Sequence, residues 1–278
     1  MGAPVSRSGG ALARRRRWFE FKKPIGLRAA MALGIAVWAI FFGLWDLSAR
    51  SGLAPELLLP TPWAVATALV RLIEHEGFLY DIAVSVYRIL ASFVVASALA
   101  VPLGILTGSF RTVEAFVNPL VSAWRYLPAP SFIPLLLMWF GTGDLQKLAL
   151  LFIGVVWFLI TLIMDHTKAV RQELIETSVT LGADRRQVLW TVVVPAVLPD
   201  IVVAMRQMLA VSWTYLVIAE IVTSTTGIGA MMMRAKRFVH TDEIMAGILV
   251  IGILGLAFDY LFRLAHRLLF SYLEEPGH

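Results

Sequence analysis

Long apolar segments separated by short charged ones are the dominant pattern of this chain. A helix needs roughly 20 apolar residues to cross a hydrocarbon core of about 30 Å. Several uncharged stretches approach that length once flanking residues with flexible charged side chains are included. We therefore predict an all-α fold, a polytopic membrane bundle of about six transmembrane helices. The predicted spans are residues 28–48, 82–108, 119–140, 147–165, 199–222 and 243–266.

Two segments depart from this pattern. The third predicted span contains Pro128, Pro130 and Pro134, and three prolines in seven residues are incompatible with an unbroken helix. Irregular backbone at membrane depth is tolerated where it lines a cavity or is buried in protein. Between the first two spans, Thr61 can cap a helix that begins at Pro62. The apolar spacing that follows predicts an amphipathic helix at the outer interface.

One charged stretch, residues 166–198, lies between the fourth and fifth spans. A helix is predicted to end at Gly182, because glycine readily adopts the left-handed conformation that ends a helix. Asp184 and Gln187 form a capping-box pattern that starts another helix, and Pro195 marks the beginning of the next span. Helix, turn and helix give a compact protrusion that can seat in a groove on a partner and transmit rigid-body movement. A generic loop is the alternative interpretation.

The composition agrees with a membrane protein and excludes other classes. Of 278 residues, 59% are hydrophobic and 15% are charged, against roughly 45–50% and about 25% in soluble domains. The net charge of +5 is compatible with nucleic acid, but the basic residues lie at the ends of apolar stretches, where they anchor helices to lipid headgroups. We expect membrane lipid as a partner and no nucleic acid. Cysteine is absent, which excludes disulfides and thiolate metal sites.

The basic residues also predict the orientation. The basic N-terminal tail, residues 1–27, should stay in the cytoplasm, and an even number of spans returns the C-terminal tail, residues 271–278, to the same side. Residues 28–270 form the transmembrane domain, and its charged stretch, residues 166–198, is then cytoplasmic as well. Three basic residues that would face outward conflict with this rule: Arg234, Lys236 and Arg237.

The sequence offers no chemistry for catalysis or for nucleotide binding. No two of the five histidines are three to five residues apart, which disfavours a metal site. The chain has no Gly-Lys pair, and therefore no phosphate-binding loop of the kind that cradles ATP. We expect no enzyme activity, no metal and no cofactor in this chain. An energy-driven transporter built on it would need a separate ATPase to bind ATP and Mg²⁺.

Polar residues inside the spans predict a substrate path. Arg206, Trp213 and Glu220 are seven apart, and steps of seven on a helix drift by only about 20°, so they should share one face. Charges inside a span usually face a cavity or each other. Interface anchoring and simple packing are the alternatives. The predicted path residues are Arg125, Ser131, Arg206, Ser212, Trp213 and Glu220.

Two glycine patterns have different predicted roles. Gly104 and Gly108, which are four residues apart, are expected to let two helices approach closely. Gly227, Ile228 and Gly229 follow the fifth span. They are predicted to form either an outer gate, a loop at the outer mouth of a pore, or a plain turn.

The charged stretch resembles a motif of bacterial ABC importer permeases. Glu176, Gly182 and Pro195 reproduce its spacing, although the family's two alanines after the glutamate are Thr177 and Ser178 here. The chain is similar to the nitrate, sulfonate, taurine and bicarbonate importer group over about residues 59–269. Further matching segments are Leu59–Pro62, Ser85 with Arg88, Arg125–Pro128, Ile133–Leu135, Trp139–Gly141, Leu181–Ala183, Arg206, Ser212–Trp213, Ala219–Glu220 and Gly227–Gly229.

This resemblance implies a transporter assembly in the bacterial inner membrane. It would contain two permease chains, expected to be a homodimer, two ABC ATPase chains, and an external or periplasmic solute-binding protein. ATP binding would draw the two protrusions together and open the pore outward. The implied solute is small and polar, an anion of the sulfonate, taurine, nitrate or bicarbonate type, with a pyrimidine vitamin precursor as the alternative. The implied ATPase-coupling residues are Glu176, Thr177, Ser178, Leu181, Gly182, Ala183, Asp184, Arg185 and Pro195.

An ion-coupled secondary carrier or channel is the alternative function. It predicts acidic or basic relays deep in several spans, whereas the charges of this chain lie mainly at span ends. It also gives no role to the protrusion. A membrane-embedded enzyme predicts a converging His/Asp/Glu or Ser/Lys set, and none is found in the sequence.

Overall fold

The computed structural model describes residues 26–52, 55 and 57–271, and within these ranges it contains helices and no strand. Nearly all of the predicted tails, residues 1–27 and 271–278, lies outside the described residues. The helices are α1 (Leu27–Arg50), α2 (Pro62–His75), α3 (Phe78–Ser109), α4 (Arg111–Arg125), α5 (Ile133–Phe140), α6 (Asp144–Lys168), α7 (Gln172–Thr180), α8 (Arg185–Val188), α9 (Val194–Thr223), α10 (Ile228–Arg237) and α11 (Thr241–Leu269).

Five of the described helical segments are long and apolar enough to cross a membrane. They are α1, α3, α6, the continuous segment Arg185–Thr223 that ends with α9, and α11. Each contains one of the predicted spans, and the structure extends most of them by a few residues at either end. The result is an all-helical membrane bundle, as predicted.

The third predicted span, residues 119–140, is not a single helix. Three non-helical residues and a 3₁₀ turn over Ala129–Phe132 separate α4 from α5. The predicted break at the prolines is therefore confirmed, and the apolar part of the segment that follows the break is the short helix α5. The broken segment is nevertheless packed against the bundle, because Trp124 stacks on Trp157 of α6 with ring centroids 5.3 Å apart.

The packing of α3 against α6 forms the centre of the bundle. A Cβ atom at Gly104 would lie 2.7 Å from Cβ of Ile163, and one at Gly108 would lie 2.5 Å from Cβ of Thr167. Any larger residue at these positions would force the helices apart. The predicted close approach at the two glycines is confirmed, and α9 completes the core by packing against both helices.

The connection between α1 and α3 contains the predicted amphipathic helix. The Oγ1 atom of Thr61 accepts a hydrogen bond from the backbone N–H of Ala64 at 3.2 Å, which caps α2 as expected. Arg71 of α2 pairs with Glu243 at the start of α11 at 2.8 Å. These contacts place α2, the connection that follows α10 and the beginning of α11 at one end of the bundle. The buried face of α2 is Val65, Ala68 and Leu72.

Candidate functional site

The charged stretch between α6 and α9 folds into a helical protrusion, residues 172–195. Its first helix, α7, ends in a Schellman turn. The backbone N–H of Gly182 donates to the carbonyl of Val179 at 2.9 Å, and that of Ala183 donates to the carbonyl of Ser178 at 3.0 Å. Gly182 has φ = 91°, a conformation that is costly for residues with a Cβ atom. The predicted helix end at Gly182 is confirmed.

The second half of the protrusion begins with the predicted capping box. The Oδ1 atom of Asp184 accepts from the backbone N–H of Gln187 at 2.7 Å, and Gln187 Oε1 accepts from the N–H of Asp184 at 2.8 Å. A π turn over Leu189–Val193 then joins α8 to α9. The turn ends two residues before Pro195 and contains the position four residues before it, whose carbonyl the proline ring would meet in a regular helix. The protrusion is thus continuous with a membrane-spanning helix.

The protrusion exposes apolar side chains that its own chain does not cover. Within the described part of the chain, α7 has no buried residue, and the exposed fractions of Leu181 and Val179 are 83% and 57%. A cavity of about 850 Å³ separates it from the ends of α3 and α6. Clustered exposed apolar side chains mark interaction surfaces. Val179 and Leu181 therefore give the protrusion an exposed apolar surface.

Several polar side chains of α7 form hydrogen bonds within the helix. Glu176 accepts a hydrogen bond from Gln172 at 3.2 Å, and the hydroxyl of Ser178 donates to the carbonyl of Leu174 at 2.7 Å. At the start of the helix, a hydrogen bond from its own backbone N–H and then Arg171 lower the pKa of Glu173. The structure brings all nine predicted coupling residues together in the protrusion, where their role stays a prediction: Glu176, Thr177, Ser178, Leu181, Gly182, Ala183, Asp184, Arg185 and Pro195.

The predicted substrate path is divided between different parts of the bundle. Arg206 lies 3.4 Å from Asp259 of α11, and Trp213 is buried with its ring 6.2 Å from that of Phe258. The void among these side chains measures only about 20 Å³. In this structure the face of α9 that carries Arg206 and Trp213 therefore packs against α11.

The remaining path residues lie elsewhere. Ser212 is buried, and its hydroxyl donates to the carbonyl of Met208 at 2.9 Å. Arg125 is the last residue of α4, and the exposed Ser131 lies in the 3₁₀ turn between α4 and α5. The guanidinium of Arg125 lies 5.5 Å from the ring centre of Tyr126. Contact between any of these residues and a solute stays a prediction.

Glu220 lies in a buried polar cluster that joins α9 to α3 and α10. Its carboxylate accepts hydrogen bonds from Arg88 at 2.8 Å, from the Ser85 hydroxyl at 2.8 Å and from the backbone N–H of Gly229 at 2.9 Å. The side chain of Glu220 is fully buried and that of Arg88 is 3% exposed. A buried ion pair is tolerated only when hydrogen bonds satisfy the remaining donors and acceptors of both side chains. The pair of Arg88 and Glu220 meets that condition.

Side chains from other helices hold the first turn of α10. The backbone N–H of Gly227 donates to Asp81 Oδ1 at 2.6 Å, and that of Ile228 donates to the Ser85 hydroxyl oxygen at 2.9 Å. These groups are among the N–H donors that a helix leaves without an internal partner, and carboxylates are favoured at the positive end of the helix dipole. The Gly227–Gly229 segment is therefore a fixed contact in this structure, and its role as a gate stays a prediction.

The two glycines of this segment are required by the contact with Glu220. Gly227 has φ = 106°, and a Cβ atom there would overlap the carboxylate of Glu220. A Cβ atom at Gly229 would lie 2.6 Å from that of Glu220. The glycine spacing thus reflects a close approach of backbone to a buried carboxylate.

Arg88 was missed as a central residue by sequence reasoning. It also donates to Asp144 at 2.6 Å and to the carbonyl of Thr226 at 2.8 Å, so it links α3 to α6 and to the connection before α10. The sequence spacing of the polar residues could have indicated this role, because Asp81, Ser85 and Arg88 follow one another at intervals of four and three residues. Such spacing gives an otherwise apolar helix one polar face.

The known proteins that are similar to this chain are membrane components of transport systems. Residues 100–273 match the family described as binding-protein-dependent transport system inner membrane component. The taurine transport system permease protein TauC of Escherichia coli (strain K12) is 31% identical over 92% of this chain and 93% of TauC. The putative aliphatic sulfonates transport permease protein SsuC of Bacillus subtilis (strain 168) is 28% identical over 90% and 91%. A crystal structure of an amino acid ABC transporter, 13% identical, shares the fold with a TM-score of 0.61 over 72% of this chain and 97% of that one.

Proposed function

This chain belongs to the family of binding-protein-dependent transport system inner membrane components, and we propose that it forms one half of an import pore driven by a separate ATPase. It is a multi-pass permease of the inner membrane and not an enzyme. In the proposed assembly, both termini and the protrusion face the cytoplasm, because the distribution of basic residues favours that orientation.

The exposed apolar surface of α7 carries the proposal of a separate ATPase. Val179 in the last turn of α7 and Leu181 directly after it are exposed, and the turn that follows α7 is fixed by hydrogen bonds. A partner that covers them gains the free energy of apolar burial, about 25 cal/mol per Å². Since the protrusion continues into α9, a displacement of α7 is passed directly to a spanning helix. ATP and Mg²⁺ are bound by the partner.

The pore is proposed to lie between two copies of this chain. Within one bundle, α3 and α6 pack closely at Gly104 and Gly108, and the void between α9 and α11 is too small for a solute. The most apolar stretch of α1 has no buried residue. A second permease copy and lipid together account for this exposed apolar surface.

The proposed solute is a small organic anion of the sulfonate class, with taurine as the representative. The names of the two relatives, one a taurine and one an aliphatic sulfonates permease, support this class. Arg125 forms no ion pair among the described residues and is only partly buried, so it is available to an anion. The uptake of the anion is proposed to require an external solute-binding protein.

An ion-coupled carrier is disfavoured by the pairing of charges inside the spans. Arg88 is paired with Glu220, and Arg206 lies against Asp259. These groups hold helices together and are not free to relay an ion. A carrier also leaves the exposed surface of α7 without a role.

Reconstitution tests the proposed function. The permease is placed in liposomes with the ATPase and the solute-binding protein of the same transport system, and uptake of radiolabelled taurine is measured. We expect uptake only with all three components and internal ATP, and we expect excess unlabelled ethanesulfonate to compete while an aminopyrimidine does not. Uptake by the permease alone, driven by an ion gradient, would establish the carrier instead.

A further inference from the structure

The cavity between the protrusion and the bundle, here called the boundary cavity, lies where spanning segments end. It is lined by Gly108 and Thr167, in the last turns of α3 and α6, and by Val193, just before α9. Because these segments are long and apolar enough to cross the membrane, the cavity lies where the hydrocarbon core meets water. Its volume of about 850 Å³ falls in the range of about 300–1,000 Å³ that is typical of ligand pockets.

One part of the lining of the boundary cavity is apolar. It includes Ile175 of α7, Val188 of α8 and Val193 of the π turn. Val188 and Val193 are buried, and Ile175 is half-buried on a helix whose other apolar side chains are more exposed. The cavity can therefore cover the apolar part of a ligand.

The other part of the lining is charged, and its two carboxylates have partners of their own. Glu114 of α4 pairs with Lys168, at the end of α6, at 2.6 Å. The Oδ1 atom of Asp184 accepts the hydrogen bond from the N–H of Gln187 that caps α8. These three charged side chains therefore have roles within the fold.

Two arginines of the lining have no such role. Arg111 and Arg185 are exposed, and neither forms an ion pair with any residue that the structure describes. Arg111 is the first residue of α4, where the helix dipole disfavours a cation, so helix stability does not account for it. The preference for basic residues on the cytoplasmic side of a membrane accounts for their charge and not for their place on the wall of one cavity.

We propose that the boundary cavity binds the headgroup of an anionic phospholipid. Its phosphate is held by Arg111 and Arg185, since the planar guanidinium group donates two parallel hydrogen bonds to a phosphate. The first methylene groups of its acyl chains lie along Ile175, Val188 and Val193. Basic pockets between spanning helices recognise anionic headgroups in this way. A free phosphate ion would leave the apolar lining uncovered, and for that reason we assign the site to a lipid.

A lipid in the boundary cavity would support the protrusion from behind. In the described part of the chain, α7 packs mainly on α8 and the π turn, and the cavity separates it from the ends of α3 and α6. A bound headgroup fills that space and fixes the position of α7 relative to the bundle. The site does not depend on the proposed function, because it is formed by the permease chain alone.

Binding to the purified permease tests this site. The full chain is titrated, in detergent and without any ATPase, with dioleoyl phosphatidylglycerol, and bound lipid is counted by native mass spectrometry. We expect one tightly bound phosphatidylglycerol per chain and much weaker binding of dioleoyl phosphatidylcholine, whose headgroup has no net charge. Arg111→Gln and Arg185→Gln should each weaken the binding of phosphatidylglycerol about tenfold, because a hydrogen bond to a charged group contributes on that order.

The matched control is Arg186→Gln, which removes an exposed arginine next to Arg185 that does not line the cavity. It should bind phosphatidylglycerol like the wild type, and all three variants should keep the wild-type Tm because the replaced side chains are exposed. Equal losses of binding in the three variants would overturn the proposal, since they would reflect general surface charge. Displacement of the lipid by excess inorganic phosphate would also overturn it and indicate a site for a soluble anion. Release of the lipid when the ATPase is added would assign the cavity to that partner and overturn it as well.

Discussion

Replacing Gly182 with valine is expected to leave the protein in the membrane and to abolish its coupling to the ATPase. Gly182 closes the turn between α7 and α8 with φ = 91°. A β-branched residue is strained in that region, so the turn should rearrange and misplace α7. Because no heavy atom would lie within 4 Å of a Cβ atom at this position, the loss would come from backbone strain and not from a clash. We expect at least a tenfold loss of ATP-driven uptake, and loss of the ATPase on co-purification.

Gly182→Asn is the matched control, because asparagine tolerates the left-handed conformation better than other residues with a side chain. It should retain most of the coupling. The prediction fails if Gly182→Val co-purifies with the ATPase and transports at the wild-type rate. A valine variant that is absent from the membrane fraction would show that the turn is needed for assembly, which also contradicts the expectation.

Removing the guanidinium of Arg88 is expected to cause the largest loss of stability of any single substitution in the bundle. Arg88→Leu would leave the carboxylate of Glu220 buried without its cation, and breaking a buried pair costs about 3–5 kcal/mol. For a domain of this size, a loss of that order corresponds to a decrease in Tm of roughly 6 °C or more. Thermal unfolding in detergent measures it.

The double variant Arg88→Leu with Glu220→Leu removes both charges and should recover part of the lost stability. Arg206→Leu is the matched control, since Arg206 is 29% exposed beside Asp259 and its loss should cost far less. Equal Tm values for Arg88→Leu and Arg206→Leu would show that the buried pair contributes no more to stability than the partly exposed one. A double variant less stable than either single variant would show that the lost stability does not come from an unpaired buried charge.

The protrusion could be predicted in detail because its signals are local. A glycine at the end of one helix and a capping box at the start of the next act within a few residues, and both were found where the sequence placed them. The close contact between α3 and α6 was predicted from Gly104 and Gly108 for a related reason. Only small residues permit such contact, so the glycine spacing by itself predicts that two helices pack closely.

The buried cluster could not be predicted because its partners are far apart in the sequence. Glu220 was assigned to one face of α9 with Arg206 and Trp213, and heptad spacing alone supported that interpretation. The structure shows that neighbouring helices divide this face: Arg206 meets α11, whereas Glu220 meets Arg88, 132 residues earlier in the chain. Periodicity defines a face of a helix, but only tertiary packing decides which neighbour each part of that face contacts.

In the third predicted span, the local break was predicted correctly but hydropathy did not show how the backbone crosses the membrane. Three prolines correctly predicted a break, yet hydropathy still indicated one membrane-crossing segment. Hydropathy measures how apolar a segment is and does not measure whether its backbone is continuous.

Site-directed labelling of Leu181→Cys tests the central claim most directly, because the chain has no cysteine of its own and Leu181 is 83% exposed. The account predicts that a membrane-impermeant maleimide labels this variant in inverted vesicles and not in intact cells, and that the bound ATPase protects it. Phe238→Cys, at the opposite end of the bundle, should show the reverse sidedness. Labelling of Leu181→Cys from outside intact cells would contradict the account.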